Sequence, residues 1–281
     1  MPENILALKD KFDVFLLDIY GVIWNGREPV SGALKAMENL KKAGKTVILL
    51  SNGTQRSVAA ETSNLKRGFV KGVHYDRIVT SGELAYETFS EDDRKLKFYQ
   101  FGRRNEALFA DCGYKELKES DDADFVYIGV PQTFDGEIWR DYLTLAPFEN
   151  ELKSLYEKNL PLVCANPDMR AHEKQFADAV VRQGSVARFY EDLGGEVEYF
   201  GKPYPQIFDY ALQNVDAADD RILMVGDTLE TDILGGNAYG IKTALVCGGI
   251  AEENMRAEGF DDLAAYAQEL EILPDYILKS I

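Results

Sequence analysis

The sequence predicts an α/β protein, a parallel sheet flanked by helices and interrupted by a second α/β segment. Three observations carry that prediction. The stretch from Phe12 to Trp24 opens as an almost continuous apolar run, reaches the carboxylate of Asp18 and breaks at Gly21. Runs of that kind suit a strand buried on both faces, as in parallel sheets. Next, Leu34, Met37 and Leu40 recur at helical spacing between Val30 and Gly44, and the β-branched and apolar run Thr46–Leu50 follows. Strand, helix, strand over roughly forty residues is a βαβ unit with a right-handed crossover. Last, this pattern stops near Tyr75 and resumes at Phe200.

Taken in order, the first strand ends at Asp18, the first helix stops at Gly44, and the second strand ends in Ser51-Asn52-Gly53-Thr54. Residues 55–68 form the expected second helix. Between residues 76 and 195 the pattern changes to short strands at 95–101, 125–130 and 161–165, with a helix at 149–158. This stretch is expected to be an inserted domain, leaving 1–75 and 196–281 as one core. Beyond it, Phe208, Ala211, Leu212 and Val215 mark a helix, and Arg221–Val225 a buried strand ending in Gly226-Asp227-Thr228. Gly235-Gly236 is expected to be a loop, Lys242–Val246 a strand, and the last thirty or so residues helical.

Composition limits the partners. The chain has 281 residues, 46% of them hydrophobic and 28% charged, which is ordinary for a globular protein of one or two domains. Asp and Glu number 48 against 31 Lys and Arg, so the field repels nucleic acid and anionic membranes. No apolar run approaches the ~18 residues of a membrane span. The start, Met1-Pro2-Glu3-Asn4, lacks the basic and apolar regions of a secretory signal. The three cysteines, Cys112, Cys164 and Cys247, lie far apart, which argues against a disulfide framework and fits a cytoplasmic protein.

Three strand ends place polar groups on one edge of such a sheet: Asp18, Ser51 and Asp227. Open α/β sheets bind ligands at that edge. Lys202 enters the region just before a helix. Asp18 and Asp227 suit Mg²⁺, a hard cation that prefers carboxylate oxygens. The Ser51 hydroxyl and the N–H groups around Asn52 and Gly53 suit phosphate oxygens. Lys202 supplies positive charge, and Asp18 has the chemistry of a carboxylate nucleophile toward phosphorus.

The ordered set Asp18-x-Tyr20-Gly21, Ser51-Asn52-Gly53, Gly201-Lys202-Pro203 and Gly226-Asp227-x-x-x-Thr231-Asp232 resembles the four motifs of the haloacid dehalogenase (HAD) superfamily. The long insert between the second and third motifs resembles the NagD-like sugar and nucleotide phosphatases of subfamily IIA, as do Trp24-Asn25-Gly26 and Ala165-Asn166-Pro167-Asp168. The resemblance implies a Rossmann-like core with a C2-type cap, Mg²⁺ as cofactor, and hydrolysis of a small phosphorylated metabolite through an aspartyl-phosphate. It makes Asp18 the nucleophile and a metal ligand, with the Tyr20 backbone carbonyl and Asp227 as further ligands. Asp232 then orients the metal's waters or Lys202, while Ser51, Asn52 and Gly53 bind phosphate. Asn166 and Asp168 become candidate substrate contacts from the cap. The resemblance also admits a homodimer formed through the cap.

One position departs from the pattern. Phosphatases of the family carry a second Asp two residues after the nucleophile, to protonate the leaving alkoxide and then activate water. Here that residue is Tyr20, a candidate catalytic residue that could donate a proton, although an unperturbed phenol cannot be the base at neutral pH. Loss of a general acid–base costs about 10²–10⁴ in rate. The expectation is therefore a weak phosphatase, with a phosphoryl-ligand binder, or dehalogenase or C–P hydrolase chemistry, as the alternatives. Elsewhere, Arg103 and Arg104 are expected to be a solvated surface pair, and His74 and His172, the only histidines, to have structural roles.

Overall fold

A computed structural model describes residues 3–91, 94–103, 112–171 and 179–281. Arg104 and His172 lie outside the described residues. After a 3₁₀ turn at Ile5–Leu8, the chain forms β1 (Val14–Leu17), α1 (Ala33–Lys42), β2 (Thr46–Ser51), α2 (Ser57–Lys66), β3 (Arg77–Thr80) and α3 (Ser81–Ser90). It continues through β4 (Lys97–Phe101), β5 (Lys115–Leu117), β6 (Phe125–Ile128), β7 (Thr133–Phe134), β8 (Trp139–Arg140) and α4 (Glu149–Glu157). Then come β9 (Leu162–Cys164), β10 (Arg170–Ala171), β11 (Val180–Val181), α5 (Gln183–Asp192) and β12 (Val197–Tyr199). The last third holds α6 (Pro205–Leu212), β13 (Ile222–Gly226), α7 (Leu234–Tyr239), β14 (Lys242–Val246), α8 (Ile250–Ala257), α9 (Leu263–Glu269) and β15 (Tyr276–Leu278).

Two compact units result. The first contains residues 1–51, 57–79 and 202–281, and the second residues 52–56 and 80–201. The transitions fall a few residues later than the expected 76 and 195, and the short segment 52–56 groups with the second unit.

The first unit is built on a six-stranded sheet in the order β15-β14-β13-β1-β2-β3. β1 pairs in parallel with β2 on one side and with β13 on the other. The chain therefore leaves β1 in one direction first and returns to its other side later, so a topological switch point lies between β1 and β13. All four residues of β1 are buried, as its unbroken apolar run requires. Met37 and Leu40 of α1 are fully buried in the same core as Phe15, Leu17 and Val225, while Leu34 is partly buried against it. Burying each such side chain stabilises the fold by about 1.5–3 kcal/mol.

The second unit has its own parallel sheet, in the order β12-β9-β6-β4-β5. Leu152 and Leu155 of α4 and Val186, Ala187 and Tyr190 of α5 close its core over Val126, Ile128, Leu162 and Cys164. This is a second hydrophobic core within the chain, which is the physical mark of a domain.

Two expectations are corrected. Gly235-Gly236 is no loop but part of α7. A Cβ on Gly235 would stand 2.9 Å from Phe208 and Pro203, and one on Gly236 would stand 2.5 Å from Thr243. These glycines let a helix pack closely against its neighbours; they do not break it. The C-terminal stretch is helical only as far as Glu269, and β15 then joins the sheet edge in parallel with β14. Three residues of strand are too few to show a period in sequence.

Candidate active site

Strand register brings the site together. Leu17 of β1 stands opposite Val225 of β13 and Leu49 of β2, so the next residues on all three strands emerge at one edge. Those residues are Asp18, Gly226-Asp227 and Leu50-Ser51. The Asp18 N–H donates to the Val225 carbonyl at 2.9 Å, which fixes where the carboxylate leaves the sheet.

Lys202 stands among these groups with only 2% of its surface exposed. Its ammonium donates to Asp18 Oδ1 at 2.6 Å, to Asp232 Oδ1 at 2.7 Å and to the Leu50 carbonyl at 3.0 Å. The second Asp232 oxygen accepts from the Thr228 N–H at 3.2 Å. Asp227 accepts from the Ile250 N–H at 2.9 Å through one oxygen and from the Thr228 hydroxyl at 3.2 Å through the other. Asp18, Asp227 and Asp232 each offer an oxygen within 4.8 Å of the others'.

Glycines make room for these carboxylates. A Cβ on Gly21 would lie 2.0 Å from Asp227 Oδ2, and one on Gly226 would lie 2.0 Å from the Asp232 carboxyl carbon. Gly21 also sits at φ +81°, where an L side chain is strained. The sequence pattern Asp-x-Tyr-Gly and the Gly before Asp227 are thus steric conditions for seating three acids side by side.

The charges do not balance. Three carboxylates face one lysine, with Asp227 and Asp232 buried and the Asp18 side chain 13% exposed, and each additional negative charge there is costly. Burial pushes Asp18 well above the usual carboxylate range; Lys202 pulls it back, while Asp232 and Asp227 push it further up. Burial and then the Asp232 charge raise Asp227 to about 7. A hard divalent cation is the ligand that relieves this excess, and carboxylate oxygens are the donors it prefers. The donor set therefore fits Mg²⁺.

The remaining sequence-predicted residues divide between the two units. Ser51 is buried at the end of β2 in the first. Asn52 and Gly53 belong to the second, as do Asn166 and Asp168, and there Asn52 Nδ2 donates to Asp168 Oδ1 at 2.8 Å. Asn166 Oδ1 accepts from the Asp168 N–H at 3.0 Å, and its amide nitrogen donates to Gln183 at 3.3 Å.

Tyr20 is 52% exposed, and its hydroxyl accepts from Arg67 Nη2 at 3.0 Å. The Arg67 guanidinium also lies 4.7 Å above the Trp24 ring. Arg103 donates to Gln132 at 3.2 Å and stands 5.5 Å over the Trp139 ring, so it has specific partners where a solvated residue was expected. His74 accepts from the Val70 N–H at 3.0 Å within a turn, a structural role.

Sequence reasoning missed Thr228, Ile250 and Arg67. The Gly248-Gly249 pair was the available signal for Ile250, because a Cβ on Gly249 would stand 2.1 Å from Asp227 Oδ2. Nothing in the sequence near Arg67 ties it to Tyr20, 47 residues away.

A family model described as haloacid dehalogenase-like hydrolase matches residues 15–115, and one described as HAD-hydrolase-like matches residues 199–281; together they span more than half of the chain. Phosphoglycolate phosphatase 2 of Arabidopsis thaliana is 26% identical over 90% of this chain and 88% of its own length. The glycerol-3-phosphate phosphatase of Gallus gallus is 27% identical over 99% of this chain and 93% of its own. A haloacid dehalogenase-like hydrolase from Brucella suis 1330 superposes with a TM-score of 0.82 at 27% identity, covering all of both chains.

Proposed function

The chain belongs to the haloacid dehalogenase-like hydrolases and is a phosphatase of that family; from that premise we propose that it hydrolyses small phosphorylated sugars or sugar acids with Mg²⁺ and an aspartyl-phosphate at Asp18. The observation that carries this reading is the placement of Lys202 between Asp18 and Asp232 with Asp227 alongside, a buried cluster whose negative charge exceeds its positive charge.

Asp18 and Asp227, with the Tyr20 carbonyl, would hold the ion, and the ion would supply charge neutralisation for the phosphoryl group. Lys202 binds Asp18 through Oδ1, and no hydrogen bond from a described residue reaches Oδ2. One carboxylate oxygen is thus tethered while the other is available to attack phosphorus. Asp232, held by Lys202 and the Thr228 N–H, fixes the lysine and keeps its charge directed at the reacting group. Ser51, Asn52 and Gly53, consecutive in the sequence, would bind the other phosphate oxygens. Attack by Asp18 forms the acyl-phosphate and releases the alcohol, and water then restores the carboxylate and frees inorganic phosphate.

The named relatives support phosphorylated small acids and polyols as the substrate class. Tyr20 favours a second reading, binding of a phosphorylated ligand without useful turnover, because a phenol replaces the acid–base carboxylate. The test of both is a panel of phosphate monoesters, assayed with Mg²⁺ and with chelator. The phosphatase reading expects Mg²⁺-dependent release of phosphate from at least one sugar or sugar-acid ester at rates above about 1 s⁻¹. Thermal stabilisation by phosphate esters with no release of phosphate selects the second reading.

A further inference from the structure

The segment after Ser51 is held by the inserted unit. Residues 52–56 group with residues 80–201, although in sequence they directly continue β2. The hydrogen bonds show how. Thr80 Oγ1 donates to the Gln55 carbonyl at 2.6 Å, and the Gly82 N–H donates to the Gly53 carbonyl at 3.1 Å. The Ser81 hydroxyl lies 2.5 Å from the Ala165 carbonyl and 3.2 Å from that of Gly53, so it links the loop to the segment after β9. Arg56 meets Glu83 through two bonds of 2.9 Å each and lies over the Tyr86 ring.

Asp168 completes this set from the other side. Its Oδ1 accepts from Asn52 Nδ2 at 2.8 Å, and Asn52 is only 3% exposed. The turn carrying Asp168 is itself fixed. Asn166 Oδ1 accepts from the Asp168 N–H, and the Gly184 N–H donates to the Asp168 carbonyl at 3.0 Å. A Cβ on Gly184 would stand 2.1 Å from the Pro167 carbonyl, so α5 starts pressed against the turn. A carboxylate anchored in this way has the geometry of a bracket for Asn52.

We propose that Asp168 is a positioning residue for the phosphate-binding loop: it fixes the Asn52 carboxamide and, through it, the backbone of residues 52–54, and it makes no contact with the organic part of the substrate. The inference rests on the phosphatase reading and reassigns a residue whose place in the cap suggested a substrate contact. The two roles differ in what they predict. A residue touching the alcohol part affects esters unequally and leaves a bare oxyanion unaffected. A residue that sets the loop affects every phosphate ligand by the same factor.

The experiment measures KM and kcat for two phosphate esters with unlike alcohols, together with the inhibition constant of inorganic vanadate. Asp168→Ala is expected to weaken both esters and vanadate by one common factor, about tenfold or more, the usual worth of a hydrogen bond to a charged group. Asp168→Asn keeps an acceptor for Asn52 and is expected to restore most of that loss. In a double-mutant cycle, Asp168→Ala is expected to add nothing once Asn52→Ala is present. The concentration of Mg²⁺ for half-maximal activity is expected to stay constant throughout. A loss confined to one ester with vanadate unaffected overturns the proposal, and so does an Asp168→Ala protein indistinguishable from wild type. Asp168→Asn melting at the wild-type temperature shows that any loss it retains is not a folding defect. A wild type that neither hydrolyses esters nor binds vanadate overturns the phosphatase reading and this proposal together.

Discussion

The Lys202 ammonium lies 2.6 Å from Asp18 Oδ1, a bond that joins residues 184 positions apart in sequence. It tethers the strand-end carboxylate by one oxygen, and Asp232 holds the same lysine from the other side at 2.7 Å. Removing the lysine therefore leaves two buried acids facing each other. Lys202→Met is expected to lower the stability of the metal-free protein by about 3–5 kcal/mol, the usual cost of breaking a buried ion pair. Denaturant unfolding in chelator measures it. A variant as stable as wild type would mean that the acids are already neutral without the lysine.

Asp18→Asn separates chemistry from stability. It removes the nucleophile, and kcat is expected to fall by about 10⁴ or more. It also removes a carboxyl that burial makes costly to ionise. The metal-free variant is therefore expected to melt at or above the wild-type temperature. Calorimetry in chelator, paired with ester assays in Mg²⁺, checks both halves.

The acid cluster also sets a pH dependence. The folded protein holds Asp227 up to about 7, against ~3.9 for an unfolded Asp. Between those values the folded state binds more protons than the unfolded state, so stability falls as pH rises. The metal-free protein is expected to lose melting temperature from about pH 4 to pH 7, with the full penalty present above pH 7. Mg²⁺ should restore more stability at pH 7 and above than at about pH 5. A melting temperature that rises steadily across this window in chelator would contradict the charge excess.

Gly249→Ala tests whether Asp227 depends on its glycine neighbours. The new methyl would fall 2.1 Å from Asp227 Oδ2, so the carboxylate or the start of α8 must move. Overpacking of this kind costs about 1–3 kcal/mol. Half-maximal activation is expected to need about tenfold more Mg²⁺, the lower end of what loosening a metal ligand costs. Titration of activity with Mg²⁺ measures it.

Tyr20→Asp restores the acid–base carboxylate. Hydrolysis of alkyl phosphates is expected to rise by about 10²–10⁴. An aryl ester such as 4-nitrophenyl phosphate should gain much less, because its leaving group departs without a proton. Equal gains for both classes, or none, would show that the group at position 20 does not meet the leaving oxygen.

Much of this site was legible in the sequence because strand ends in a parallel sheet share one edge. Asp18, Ser51 and Asp227 each follow an apolar run, and register alone aligns those runs. Lys202 was legible through its Gly-Lys-Pro setting, and its three partners only through the fold. Gly235-Gly236 misled because glycine breaks helices in most settings and permits close packing in a few; Phe208 and Thr243 decide which, and both are distant in sequence. β15 was hidden by its length. The bracket at Asp168 was invisible for another reason: Asn-Pro-Asp is a common turn former, and its partner Asn52 lies 116 residues away.

The most direct measurement is acid quenching of a single turnover in Mg²⁺, followed by mass spectrometry of the peptides. One phosphoryl group on the peptide containing Asp18, absent when chelator replaces Mg²⁺, is the predicted result. Turnover with that peptide unmodified, or hydrolysis that persists in Asp18→Asn, would contradict the assignment of Asp18 as the nucleophile.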